Sequence, residues 1–425
     1  MTQSLYERAV AAIDSVSWRG IMPGLERTEG LLAVLGNPQQ GLRGALVAGT
    51  NGKGSVCAVV DSVCRAAGLR TILLTKPHLI SYCERFVRDG TAISETEFGE
   101  LMSEVAEAAT QLPEELQPTG FEMLTAAGIL LASRAHPDLI VCEVGLGGRL
   151  DSTNVLDLDV NVITNVDLDH QEYLGPTVSA IAAEKARIIK PGSVAVTAAT
   201  PPALDVIERF ASSIDVEVTR VHSAGRAAGL DGVDVSARFE GETLQVRAPL
   251  LGAFQIGNVA TALAVCDALR SRGFGISAQD CVAGCESVRW PARMQWIDGS
   301  PAMLIDGAHN PAGMTALSRA VADLAPRRNR VAVFAAMHNK DVRAMTRVLA
   351  EVTQDVVVTE PASERAASPA ELAALFDPVA TVADHPQQAI DIARERAGTD
   401  GLVLVCGSLY LAGEVLQLLG GEHGL

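Results

Sequence analysis

Residues Gly49-Thr50-Asn51-Gly52-Lys53-Gly54-Ser55 lie between a short apolar run and a helix-like run over 56–67. A glycine-rich turn at a helix start aims successive backbone N–H groups into one concavity, where phosphate charge is favoured. Asn51, Gly52, Lys53, Gly54 and Ser55 are therefore candidate triphosphate contacts, with Lys53 reaching the terminal phosphates and Ser55 beside a metal. The spacing departs from GxxxxGK[ST] because Gly54 separates the lysine from the hydroxyl. The plain alternative is a glycine-rich turn of no special purpose. Downstream, Glu143 closes the third apolar run and Asp169-His170 follows the fourth. The carboxyl edge of an open α/β sheet is where ligands collect, so carboxylate and imidazole would surround the loop as an oxygen and nitrogen shell for Mg²⁺. Taken singly, Glu143 also reads as a solvated loop residue and His170 as a structural one.

The elements that must position these groups are legible as alternating patterns. Runs at 45–48, 71–74, 139–144 and 160–164 are largely apolar and predict buried strands of a parallel sheet covered on both faces. A second series follows Trp290-Pro291-Ala292-Arg293, with strands at 303–305, 331–335, 355–358 and 402–406 and a helix over 310–325. The expected fold is α/β: an N-terminal phosphate-loop domain over 1–290 and a C-terminal Rossmann-like domain over 291–425, joined near 289–298. Alternation over 233–250, within a segment from about 215, predicts a small antiparallel sheet appended to the first domain. Neither internal repeats nor low-complexity tracts interrupt the pattern.

A chain of 425 residues, 48% hydrophobic, can bury a large core. Its formal net charge of -17 argues against nucleic acid and anionic lipid as partners, although local cations and helix N-termini can invert the potential in a cleft. No apolar run approaches the roughly 18 to 20 residues of a membrane span, and no basic start precedes an apolar stretch, so a cytoplasmic location is expected. The 8 cysteines form no CxxC pair, and Cys281 and Cys285 lack zinc-finger partners downstream. Reduced thiols filling core space are the expectation.

Several further motifs stand in one order along the chain: Gly24-Leu25-Glu26-Arg27, the loop 49–55, Pro77-His78-Leu79, Phe121-Glu122, 143–154, Asp169-His170, Leu174-Gly175 and Glu184-Lys185-Ala186. The series continues with 255–258, Trp290 to Arg293, Asp306-Gly307-Ala308-His309-Asn310-Pro311, Lys340-Asp341 and Gly407-Ser408-Leu409-Tyr410. Over nearly its whole length the chain resembles the folylpolyglutamate synthase and dihydrofolate synthase enzymes, relatives of the Mur ligases. The resemblance implies an ATP-dependent, ADP-forming ligase that joins L-glutamate to a folate-type carboxylate, of dihydropteroate, a tetrahydrofolate polyglutamate or both, through an acyl phosphate. It implies that residues 52–55, with Asn258, Arg293 and Asp306, hold ATP; that Ser55, Glu143 and His170 serve one or two Mg²⁺ ions; and that Lys185 carries a carbamate. Lys53, His170 and Lys185 become the catalytic set. Ile21, Met22, Thr119, Arg149, Leu150 and Asp151 fall where relatives bind the pterin-bearing acid, and His309, Ser408 and Tyr410 where glutamate is expected. The family also implies a monomer and a hinge near 290–293 that closes the domains over the reactive anhydride.

Three positions leave the family pattern. Lys76 stands where relatives carry a small hydroxyl residue that ligates magnesium, and an ammonium has no lone pair to offer. Its charge would supplement or displace part of the metal's role, impair the site, or swing out to solvent. Arg187 replaces a usual glycine near Lys185, and Met22 replaces an acidic residue of some relatives. These differences keep two alternatives open: a divergent paralogue that glutamylates another carboxylate-bearing metabolite, and a non-catalytic nucleotide-binding protein.

Overall fold

The computed structural model describes residues 3–326, 328–363 and 365–420. Two compact units emerge: Met1–Ala224 with Ser236–Val246 and Gly257–Ser287, and Gly225–Val235 with Arg247–Ile256 and Val288–Leu425.

The first unit is built on strands β1 (Gly44–Ala48), β2 (Thr71–Leu74), β3 (Phe86–Arg88), β4 (Thr91–Ala92), β5 (Leu139–Glu143), β6 (Val160–Ile163), β7 (Val194–Thr197) and β8 (Val218–Arg220). They pair in the order β4-β3-β2-β5-β1-β6-β7-β8. From β2 to β8 every pairing is parallel, and β3 and β4 add an antiparallel edge. All residues of β1, β2, β5 and β6 are buried, as expected when helices cover both faces of a parallel sheet. The register Val47 to Glu143 and Ala48 to Ile163 brings the carboxyl ends of β5, β1 and β6 level, so the loops that follow them share one edge. The helix Lys53–Ala66 continues directly from the loop after β1.

Strands β9 (Ala224–Ala227), β10 (Val233–Phe239) and β11 (Glu242–Ala248) form a three-stranded sheet in the order β11-β10-β9. Glu240 and Gly241 both take positive φ, 51° and 79°, the two-residue turn that matches the twist of an antiparallel hairpin. The alternation predicted over 233–250 corresponds to β10 and β11, whereas 218–220 joins the main sheet instead.

In the second unit β12 (Gln295–Ile297), β13 (Ala302–Ile305), β14 (Arg330–Phe334), β15 (Asp355–Val358), β16 (Thr381–Val382) and β17 (Leu402–Cys406) pair as β12-β13-β17-β14-β15-β16. Only β12 runs antiparallel, against β13. The predicted helix over 310–325 is Pro311–Leu324, capped by the Asn310 side chain on Gly313 N with proline in its first turn. All eight cysteines are free and buried, as expected of core-filling thiols. Among the described residues no helix is long and apolar enough to cross a membrane.

Candidate active site

Gly49 and Gly52 set the shape of the phosphate loop. Gly49 adopts φ +152°, and a Cβ there would stand 1.8 Å from Thr164 Oγ1; Gly52 caps the helix Lys53–Ala66 at φ +83°, where a Cβ would meet Asn258 Oδ1 at 2.3 Å. Both contacts leave room for hydrogen only. The loop is tied to the segment after β6: Thr50 N donates to Asn165 O at 2.9 Å, Asn51 N to Asn165 Oδ1 at 2.8 Å, and Thr164 Oγ1 to Asn51 O at 2.7 Å. The first-turn N–H groups of that helix have no intrahelical acceptor and carry the positive end of its dipole.

Three lysines gather at this edge. Lys53 Nζ donates to Gly49 O at 3.2 Å and Thr50 O at 3.1 Å, and Lys185 Nζ to the same Gly49 O at 2.9 Å. Lys185 is only 4% exposed, and burial, reinforced by the Lys53 ammonium and opposed by Asp169 and Asp151, brings its amine down to about 7. Lys76 Nζ donates to Glu143 O at 3.0 Å and lies 5.0 Å from the centroid of the Phe121 ring, so the side chain turns toward the loop rather than out to solvent. Its backbone N–H donates to Glu143 Oε2 at 3.0 Å. Arg187, two residues beyond Lys185, is exposed, its guanidinium 4.8 Å from the centroid of the Phe210 ring. It adds no cation to this cluster.

Buried Glu143 ends β5, buried Ser55 lies in the first turn of Lys53–Ala66, and His170 sits at φ 50° ahead of the short helix Gln171–Leu174, its Nε2 3.9 Å from Asp169 Oδ1. Among the described residues no group of three or more His, Cys, Asp and Glu is placed to hold a metal by itself. A buried carboxylate and a hydroxyl beside a phosphate cradle nevertheless suit Mg²⁺, which takes one or two protein oxygens and completes its shell with phosphates and water.

The segments expected to meet the acceptor acid are Ile21 and Met22, 48% and 42% exposed; Thr119, which caps the helix Gly120–Ala135; and Arg149, Leu150 and Asp151 after β5. Arg149 is committed to Glu184 by donors at 3.0 to 3.2 Å. Asp151 accepts Leu146 N at 2.8 Å and Thr153 N and Oγ1 at 3.0 and 2.6 Å, so its carboxylate shapes its own loop.

In the second unit Asp306 follows β13, accepting Met294 N and Ala308 N at 2.8 Å each. Burial raises its carboxyl, with the Arg293 charge the largest opposing influence. His309 Nδ1 lies 2.8 Å from Gly307 O. Ser408 caps the helix Leu409–Leu418 on Tyr410 N and Leu411 N, and Tyr410 OH accepts from Arg365 at 2.8 Å. Because Ile305 pairs with Val405 and Gly407 N donates to Ala308 O at 3.0 Å, the Asp306 to His309 turn and the Ser408 cap share one strand edge. Arg365, Asn165 and Thr164 were not singled out by sequence; they are scaffold partners recognisable only in space.

Residues 47–266 match the family described as Mur ligase middle domain, and 292–409 the Mur ligase, glutamate ligase domain. A probable bifunctional folylpolyglutamate synthase/dihydropteroate synthase of Halobacterium salinarum is 34% identical over 96% of this chain but only 51% of its own length, so the chain spans about half of that relative. The dihydrofolate synthase/folylpolyglutamate synthase of Bacillus subtilis is 32% identical over 94% of this chain and 96% of its own. The structure of Mycobacterium tuberculosis folylpolyglutamate synthase complexed with ADP and AMPPCP superposes with a TM-score of 0.88 at 30% identity, covering 97% of this chain and 99% of that one.

Proposed function

The chain belongs to the folylpolyglutamate synthase/dihydrofolate synthase family of Mur ligases, and on that premise we propose that it is an ATP-dependent, ADP-forming ligase joining L-glutamate to the carboxylate of a folate-type acid. The observation that carries the reading is the phosphate cradle: a glycine-shaped loop at a helix N-terminus, with the side-chain nitrogens of Lys53 and Lys185 on one carbonyl. A carboxylate is a poor electrophile. Transfer of the γ-phosphoryl group from ATP to a carboxylate oxygen releases ADP and leaves a mixed anhydride; the glutamate amine then attacks its carbonyl carbon, expels phosphate and loses a proton. Asn51 to Ser55 with Asn258 would bind the phosphates, and Lys53 would stabilise charge on the transferring oxygens. Arg293 and Asp306 would hold the rest of the nucleotide, and His309, Ser408 and Tyr410 the glutamate. Mg²⁺, held by Ser55, Glu143 and His170, would neutralise phosphate charge when bound. An amine brought down to about 7 is largely neutral at physiological pH, the form that adds CO₂; this supports a carbamate on Lys185.

Dihydropteroate and tetrahydrofolate, supplied in turn with ATP and glutamate, test the reading through acceptor-dependent release of ADP and phosphate. Exposed Met22 and inward-turned Lys76 favour one variant, a ligase for a different carboxylic acid. Turnover of another acid with none of the pteroyl compounds would select it. Nucleotide binding without release of ADP and phosphate in the presence of any acid would leave only a non-catalytic nucleotide-binding protein.

A further inference from the structure

A buried ion pair in the first unit lies apart from the phosphate loop and its lysines. Arg27 Nε donates to both carboxylate oxygens of Glu122 at 3.0 and 3.1 Å, with Nη2 2.8 Å from Oε1, and both side chains are buried. A buried ion pair is no better for stability than well-packed apolar residues of the same size; what it adds is direction. Arg27 Nη2 donates to the Met22 carbonyl. Glu122 Oε2 accepts Thr119 N at 2.7 Å, completing a capping box with Thr119 Oγ1, which accepts Glu122 N at 3.3 Å. Between Met22 and Arg27, Gly24 N donates to Leu150 O at 3.3 Å, and its φ of +143° belongs to glycine. The ion pair thus links two segments remote in sequence, the Gly24 backbone ties the first of them to a third at Leu150, and the segment so anchored presents exposed, apolar Ile21 and Met22. Apolar side chains held outward on a rigid mount suit a flat ring better than they suit water.

We infer that Arg27 and Glu122 are positioning residues for the acceptor acid, fixing where Met22 and Thr119 stand relative to each other. This rests on the acceptor assignment proposed above. Lysine cannot reproduce the guanidinium fork that serves a carboxylate and a carbonyl together, and glutamine keeps the cap while discarding the charge.

The full-length chain, Arg27→Lys, Glu122→Gln and the double variant Arg27→Met/Glu122→Met are compared by steady-state kinetics and thermal melting. Dihydropteroate and tetrahydrofolate are varied at saturating ATP and glutamate, and ATP is then varied at saturating acid. The expected result is an acceptor KM raised about tenfold or more with the ATP KM within about twofold of wild type. The double variant, relieved of both charges, is expected to melt near wild type yet show the same acceptor defect. Unchanged acceptor KM in all three variants, or acceptor and ATP constants rising together in step with lost melting temperature, overturns the inference while leaving the ligase reading intact. A wild-type chain that turns over no acid removes that reading and this inference with it.

Discussion

Replacing Lys185 with methionine should flatten the pH dependence of stability between pH 7 and 9. The folded amine is held at about 7 against an ordinary 10.5, first by burial and then by the Lys53 ammonium. In the unfolded chain it regains its ordinary value. Between those two values the unfolded state binds a proton that the folded state lacks, so stability rises with pH; below about 7 both states are protonated and the fold carries the whole cost of a buried ammonium. A full proton difference is worth about 1.4 kcal/mol per pH unit. The folded lysine is still half protonated at pH 7, which reduces the gain from pH 7 to 9 to about 2 kcal/mol. Methionine has similar length and no charge; it forfeits the bond to Gly49 O as a roughly constant offset, leaving only the slope to differ. Urea midpoints at pH 7, 8 and 9 in CO₂-free buffer measure that slope, and taking wild type minus variant cancels the other titrating groups. Parallel curves across this range would mean that Lys185 keeps an ordinary ammonium, and the physical basis for a carbamate there would be gone.

Other consequences are more direct. Lys53→Gln removes the ammonium from the Gly49 and Thr50 carbonyls and should weaken ADP binding about hundredfold by calorimetry, the worth of a charge-assisted contact; a change below about threefold would refute the assignment. Lys76→Ser withdraws a cation from the Glu143 carbonyl and supplies a hydroxyl, so Mn²⁺ affinity in the presence of nucleotide, read by electron paramagnetic resonance, should rise; an unchanged or lower affinity would show that Lys76 does not oppose the metal. Asp306→Asn leaves one oxygen for two backbone donors 2.8 Å away, and should cost about 1 to 3 kcal/mol in denaturation of the full chain; no measurable loss would show that the two bonds are dispensable.

Parallel strands buried on both faces announced themselves because each is a short, largely apolar run: 71–74, 355–358 and 402–406 match the structure at both ends, and the other predicted strands shift by one residue. Phe86–Arg88 and Thr91–Ala92 were invisible, since two or three residues carry no periodicity. The phosphate loop was legible for the same local reason, as was the strand-end position of Glu143, whereas Asp169 lies in the loop between β6 and the helix Gln171–Leu174. Arg27 and Glu122 lie 95 residues apart, and although each falls in a motif the sequence singles out, nothing in either motif announces that the two side chains pair. Arg187 shows the reverse error. Nearness to Lys185 in sequence suggested a second cation at the site, but positions two apart on a helix face different ways, and Arg187 packs over Phe210.

The bonding of Lys53 and Lys76 bears on how so acidic a chain could hold a triphosphate. Several cations elsewhere in the first unit are matched with carboxylates: Arg43 with Asp159, Arg65 with Asp61, Lys190 with Asp157. At the phosphate loop Lys53 and Lys76 instead donate to the carbonyls of Gly49, Thr50 and Glu143, while Lys185, its amine brought down to about 7, shares the Gly49 carbonyl without adding a full charge. A carboxylate would cancel the charge it orients; a carbonyl dipole fixes the direction of an ammonium and leaves its unit charge for a ligand. The net charge of -17 acts at longer range and is screened beyond roughly 8 Å at physiological salt, so it slows the approach of an anion far more than it weakens contact with these groups. The choice of carbonyl over carboxylate as the partner of Lys53 and Lys76 is thus what separates a site able to receive polyphosphate from a salt-bridge network already satisfied.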